Sequence, residues 1–291
     1  ESPHNERESM TEDRNPPAEK TDRILDLHNH ILPGLDDGAD DWPQSLAMAR
    51  LAVDDGVSGI VCTPHWISGF YDNTAEMVLD RLESFRRKLA EERIPLSVYP
   101  GSELRLDADL AGKIKSGEVL TLNDTGRYAL IEFPDRFLPG NMDHVFWQLQ
   151  SNEITPVLSH PERHGHLMRN APLIYRWVEM GVLVQITSAS LLGRFGSEVR
   201  KFSVLLMSHN LAHILATDAH GLHVRTPRLS DGLSAAVSIV GEESARRMVD
   251  ETPWSIIRGE PVRLPDPVPL RKASVDSPLR RFFSLFGVHP H

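Results

Sequence analysis

The sequence has a single cysteine, Cys62, in 291 residues. That excludes an internal disulfide and a cysteine-built zinc cluster, and it fits a reducing compartment. Any bound metal must therefore sit on histidine and carboxylate. No apolar run approaches the roughly 18 residues that span a bilayer. The opening residues, with Glu1, His4 and Glu6, lack the basic-then-apolar order of a secretory leader. The chain is expected to be soluble, unexported and cytoplasmic, with no transmembrane segment. Basic charge is scarce too, since 31 Lys and Arg face 41 Asp and Glu for a net charge of −10. Residues 1–22 hold seven acids against three bases and residues 271–291 hold four bases against one acid, which leaves −9 on residues 23–270. So acidic a body is poorly suited to the counterion release that drives nucleic-acid binding, and no nucleic-acid partner is expected. There is no internal repeat.

What is present is enough for one large core, with 40% hydrophobic residues. Residues 1–22, polar and carrying Pro16 and Pro17, read as a disordered extension. Residues 23–266 read as one domain and residues 267–291 as a basic, aromatic tail. Within the domain, short apolar runs alternate with amphipathic stretches, the pattern of βαβ units around a parallel sheet. Seven strands are expected, at Arg23–Leu27, Gly59–Thr63, Leu96–Pro100, Tyr128–Phe133, Ile154–Ser159, Val182–Thr187 and His213–Thr217. The clearest helix has Trp42, Leu46, Ala49 and Val53 at helical spacing, Pro43 in its first turn and Gly56 at its exit. Others are expected at Thr74–Glu91, Gly140–Ser151, Pro172–Met180, Ser197–Ser208 and Asp231–Ile239, and a short one begins near Ser277.

Six of the seven strands end in a side chain able to bind metal. His28 and His30 follow the first, His65 the second and Glu103 the third; Glu132 lies in the fourth; His160 follows the fifth, and Asp218 and His220 the seventh. In a barrel of parallel strands those ends converge on one face, so the pattern predicts a single pocket. Each motif also has a plain structural reading. His28-Asn29-His30 and Asp218-Ala219-His220 place two donors two residues apart on an extended segment, yet such pairs are common by chance. Asp36-Asp37-Gly38 would serve equally as a turn. Glu132, amid Leu130, Ile131 and Phe133, is costly to bury unless paired or metal-bound, and a salt-bridged core glutamate satisfies that too. The conjunction carries the weight.

These residues in this order resemble the polymerase and histidinol phosphatase (PHP) superfamily. The strings Asp26-Leu27-His28-Asn29-His30-Ile31-Leu32-Pro33, Thr63-Pro64-His65, Gly101-Ser102-Glu103, Ile131-Glu132-Phe133-Pro134, Ser159-His160-Pro161-Glu162-Arg163, Gln185-Ile186-Thr187-Ser188 and Thr217-Asp218-Ala219-His220 are similar to its bacterial tyrosine-phosphatase branch, associated with capsule and exopolysaccharide synthesis. The resemblance spans roughly residues 23 to 260. It implies a distorted (β/α)7 TIM-like barrel holding three divalent metal ions. One would be held by His28, His30, Glu103 and Asp218, a second by Glu103, Glu132 and His160, and a third by Asp37, His65 and His220, with Asp36 as the neighbour most easily confused with Asp37. Nitrogen and oxygen donors suit manganese, iron or zinc, and manganese is the expected metal. Such ions acidify water toward neutral pH and offset phosphoryl charge, so the expected nucleophile is solvent. Arg163 and Arg225 match the family's phosphate-holding arginines, a role suited to planar forks.

Cys62 tests the assignment from the other side. A thiol-based phosphatase needs Cys-x5-Arg, but the sixth residue beyond Cys62 is Ser68, and Cys62 reads as a small apolar strand residue. The resemblance implies a phosphotyrosine-bearing bacterial tyrosine kinase as partner and substrate. Trp66, Phe70 and Tyr71, just after His65, are candidates to flank the ring, although loop aromatics pack against the scaffold at least as often. A small-molecule phosphatase of histidinol-phosphate type would use the same ions. A third reading, of another class, is a non-catalytic adaptor contacting a kinase or membrane through its tail. Leu279, Phe282, Phe283 and Phe286 beside Arg280 and Arg281 support it, though the segment is too short to anchor alone.

Overall fold

The computed structural model describes residues 23–134 and 137–270. The expectations for residues 1–22 and for a tail helix near Ser277 lie outside the described residues. Nine strands run parallel: β1 (Ile24–Asn29), β2 (Val57–Cys62), β3 (His65–Trp66), β4 (Ser97–Pro100), β5 (Glu103–Arg105), β6 (Tyr128–Glu132), β7 (Thr155–Ser159), β8 (Leu183–Thr187) and β9 (Ile214–Ala216). They pair in the orders β1-β2-β4 and β3-β5-β6-β7-β8-β9. β3 resumes the path of β2 after Thr63-Pro64, and β5 resumes that of β4 after Gly101-Ser102. The backbone bond from Glu103 N to Pro64 O holds the two paths together across these breaks. Seven strand positions result, as the sequence predicts.

The ring closes between the last and first positions. Asp218 N donates to His28 O and His30 N to Ala219 O, each at 2.9 Å. At the opposite end of this seam residues 248–249 wedge between the strands: Leu25 N donates to Val249 O and Leu215 N to Met248 O. The chain is thus a distorted (β/α)7 barrel, its irregularity concentrated in one seam.

Period-two alternation sorts the side chains. Leu25, Leu27, Val61, Leu130, Val157, Leu183 and Ile214 meet inside the ring, while Ile60, Leu158, Val184, Ile186 and Leu215 pack outward against the helices. Two residues beyond Leu130, Val157 and Leu183 on the same inward rows stand Glu132, Ser159 and Gln185. The barrel interior is therefore apolar below and polar at the strand C-termini.

The helices form where the signals lie. Trp42–Asp54 has Asp41 as N-cap, its carboxylate accepting from Gln44 N, with Pro43 in the first turn and Gly56 leaving at φ 92°. Ala75–Glu91 is capped by Thr74 and buries Val78, Leu82, Phe85 and Leu89 along one stripe. Short helices at Leu110–Lys115, Gly165–Met168, Ser188–Leu191, Glu242–Arg247 and Glu251–Ile257 were not expected from periodicity. Among the described residues no helix is long and apolar enough to cross a membrane.

Candidate metal centre

Strand ends and the loops just beyond them bring all nine sequence-predicted donors to one end of the barrel. β1 reaches Asn29, two residues past its expected end, so His28 lies within the strand and His30 just after it. Both are fully buried. Their Nε2 atoms stand 3.0 Å apart, and each Nε2 lies 3.4 Å from Asp218 Oδ1. Glu103 begins β5 beneath them. Its Oε2 is 3.2 Å from His28, 3.4 Å from His30 and 3.1 Å from His65 Nδ1, while Oε1 is 2.8 Å from His160 Nε2. Asp37 Oδ1 faces His220 at 3.2 Å and His65 Nε2 at 3.5 Å. Glu132 is more peripheral, 3.7 Å from His65 Nδ1 and 3.8 Å from His160.

Three groups of side chains lie close enough together to hold an ion: His28, His30, Glu103 and Asp218; His30, Asp37, His65 and His220; and His65, Glu103 and Glu132. The first and third share Glu103, the residue expected to serve two ions, the first and second share His30, and the second and third share His65. His160 stands as near to Glu103 and Glu132 as His65 does, its Nε2 lying 2.8 Å and 3.8 Å from them against 3.1 Å and 3.7 Å for His65 Nδ1.

Backbone conformation at two positions is unusual. His160, directly after β7, and Asp218, two residues after β9, have φ of 32° and 50°. This left-handed region is uncommon for residues other than glycine, and here it turns both side chains back over the barrel mouth. Gly38 is needed for another reason: a Cβ there would stand 2.1 Å from His30 O, so only glycine lets the Asp36-Asp37 turn lie against the β1 exit.

Glu103 and Asp218 are held ionised. Burial opposes the charge of Glu103, but its neighbours, led by His28 whose own pKa is raised, outweigh it and keep its pKa well below the usual range. Burial likewise opposes Asp218, where Arg163 and His28 prevail. His65 and His160 are pushed down to about 4, chiefly by burial. They are neutral imidazoles at physiological pH, the form that binds metal.

The donor chemistry fits divalent cations. Glu103 Oε2, Asp218 Oδ1, His65 Nδ1 and His220 Nε2 are buried without a hydrogen bond, although buried polar atoms are normally satisfied. They point at common centres from about 3 to 3.5 Å apart, the spacing of donors around one small ion. Two partners of these donors were not legible in the sequence. Gln185 Oε1 accepts from His28 Nδ1 at 2.9 Å, leaving Nε2 free to face the cluster. Asp36 is not aimed at the centre with Asp37. Its Oδ2 lies 2.7 Å from His30 Nδ1 and accepts from His65 N, the outer carboxylate that orients a ligating imidazole.

A cavity of about 390 Å³ opens over the cluster, lined by Asp37, His65, Glu132, His160 and three arginines. Arg163 donates to Asp218 Oδ2 at 2.7 Å and Arg225 to the same oxygen at 3.1 Å. Arg105, which sequence reading missed, is paired in register with Glu132 and bonds its Oε2 at 2.8 Å. Its signal was available, since Arg105 is two residues beyond Glu103 on the same inward row. Trp66 corrects an expectation. It is 3% exposed and packs with Leu104 and Leu110 beneath the Lys113 ammonium, so it cannot flank a substrate. Cys62 is fully buried, and burial pushes its thiol pKa up, which removes thiolate chemistry.

The chain is also similar to known proteins. The family described as capsular polysaccharide synthesis, CpsB/CapC, matches residues 24–258. The tyrosine-protein phosphatase YwqE of Bacillus subtilis is 36% identical over 263 residues, covering 90% of this chain and 100% of YwqE. The tyrosine-protein phosphatase CpsB of Streptococcus agalactiae is 27% identical over 240 residues, covering 81% and 98%. A crystal structure from work on YwqE and the Streptococcus pneumoniae CpsB, termed unique metal-dependent tyrosine phosphatases, superposes with a TM-score of 0.82 at 36% identity, covering 86% of this chain and 100% of that one. With its barrel, its donor cluster and these likenesses, the chain belongs to the capsular polysaccharide synthesis CpsB/CapC family, the bacterial tyrosine-phosphatase branch of the PHP superfamily.

Proposed function

We propose that the chain is a metal-dependent protein-tyrosine phosphatase acting on a bacterial tyrosine kinase that controls capsule or exopolysaccharide synthesis. The observation that carries the reading is the convergence of Arg163 and Arg225 on one oxygen of Asp218, at the edge of a buried histidine and carboxylate cluster. Three ions would be held by His28, His30, Glu103 and Asp218; by Glu103 and Glu132 with His160 or His65; and by Asp37, His65 and His220. Manganese fits these donors, as do iron and zinc. When bound, such ions supply Lewis acidity toward a phosphoryl oxygen and bring the pKa of water near neutral.

The chain's own residues do the rest. Arg163 and Arg225 hold and orient the phosphoryl oxygens, a planar fork giving paired bonds that an ammonium cannot. Asp218 fixes both guanidinium groups while its other oxygen faces His28 and His30, so phosphate binding and the metal cluster share one carboxylate. Gln185 and Asp36 hold His28 and His30 in the tautomer that turns Nε2 inward. Solvent is the nucleophile, since the sole thiol is buried. A kinase substrate implies a cytoplasmic location.

The test is turnover by the purified protein of a phosphotyrosine peptide against histidinol phosphate. The peptide is expected to give the higher kcat/KM. Equal or better turnover of histidinol phosphate overturns the substrate assignment, and absence of any phosphatase activity would favour the adaptor reading, whose tail lies outside the described residues.

A further inference from the structure

We propose that the turn at residues 67–72 is the wall that selects an aromatic phosphoester, with Phe70 and Tyr71 flanking the phenyl ring of a phosphotyrosine whose phosphoryl group is held by Arg163 and Arg225. The inference deepens the function proposed above and rests on it. It starts from a contact path. Tyr71 stacks on His65, with ring centroids 5.9 Å apart and planes 6° apart, and His65 lines the cavity. Phe70 meets Tyr71 edge-on, at 4.7 Å and 76°. Two rings at nearly a right angle form a corner in which a third ring can stack on one and meet the edge of the other, the two arrangements aromatic pairs prefer.

The turn is built to hold that corner still. Ile67 N donates to Tyr71 O at 2.9 Å, and Tyr71 N and Phe70 N both donate to Ile67 O at 2.8 Å. Gly69 takes φ 75° and donates its N–H to Asp72 Oδ1. Buried Asn73 then ties the exit down, donating to Leu35 O and His65 O. A rigid turn loses little entropy on binding. Yet Phe70 remains 73% exposed, so the fold gains little from its ring. Isolated exposed apolar residues are ordinary. Phe70 differs because its ring continues an aromatic path that begins at a cavity-lining histidine. A phosphoserine, whose phosphate lies close to its own backbone and which has no ring, would leave this corner empty.

The experiment is steady-state kinetics on the metal-loaded, full-length protein, using a phosphotyrosine peptide as substrate and inorganic phosphate as competitive inhibitor. For Phe70→Ala, KM is expected to rise about tenfold with kcat within about twofold, as loss of an aromatic contact implies. The phosphate inhibition constant should stay unchanged, and Phe70→Trp should restore KM. Tyr71→Ala should raise KM as well. An unchanged KM in Phe70→Ala overturns the inference, and so does a parallel rise in KM and the phosphate inhibition constant, which would mean that the turn only supports His65. If the wild-type protein fails to turn over the peptide, the functional reading itself falls, a result distinct from active wild type with indifferent variants.

Discussion

Residues in the outer circle of the cluster divide the work differently from those at its centre. Gln185 meets His28 Nδ1 from across 157 residues of sequence, and truncation to Ala should weaken metal binding by about 10- to 100-fold, as loss of such orienting partners does. Metal titration of the stripped protein, followed by calorimetry, checks this; affinity within twofold of wild type would remove Gln185 from the site. Arg163→Ala should impair turnover at least about 100-fold, on the scale of a lost transition-state hydrogen-bond donor, with metal content near wild type. Arg163→Lys should rescue only in part because it lacks the fork. Loss of metal in either variant would mean that Arg163 serves Asp218 and not the substrate. The nine expected donor positions were legible because each lies at the end of a strand or in the loop beyond it, within a recognisable string. Gln185 and Asp36 were not, since their roles depend on which side chain they meet across the ring, and sequence spacing does not encode that; Arg105 stood at a readable spacing from Glu103 and was missed.

Strands were more legible than their interruptions. The expected Gly59–Thr63 strand is β2, but the ladder lapses at Thr63-Pro64, where proline has no N–H to give, and resumes as β3 with His65 in register with Glu103. That lapse presents His65 to the cluster. Short helices such as Ser188–Leu191 escaped notice because one turn carries no periodicity and is set by packing. The entry to β9 supports a pH prediction. His213 is buried, its Nδ1 accepts from Val184 N on β8 at 3.0 Å, and burial lowers its pKa from 6.5 to about 4. The unfolded chain therefore takes up a proton near pH 6.5 that the folded chain refuses until about pH 4, so stability present above 6.5 is lost as pH falls through this window. At pH 5 the loss from this group is about 2 kcal/mol. His213→Asn retains an acceptor for Val184 but cannot be protonated. Urea melts at pH 7.5 and pH 5 should show a smaller drop for the variant by about that amount, and equal drops would refute the burial argument.

The whole molecule joins an apolar barrel floor to a charged mouth, and the acidic body makes the mouth's sign depend on what it holds. Asp37, Glu103, Glu132 and Asp218 face the cluster, and by themselves they would repel a phosphate dianion. Cations held among them would reverse that sign. Chelation is therefore expected to abolish turnover and manganese to restore it, while Cys62→Ala, altering a buried thiol that carries no chemistry, should keep most activity. Phosphotyrosine turnover before and after metal removal checks both, and full activity in verified metal-free protein would exclude the scheme. Glu103 matters most to the scheme, because its two oxygens face four histidines and it is the one carboxylate asked to serve two ions. Glu103→Gln keeps the volume and removes the charge that offsets repulsion between neighbouring cations. The most direct measurement is bound metal per chain in wild type and folded Glu103→Gln, read beside phosphotyrosine turnover across a manganese titration. The account predicts that the variant holds fewer ions and loses nearly all turnover. Three ions and near-normal turnover in Glu103→Gln would contradict it.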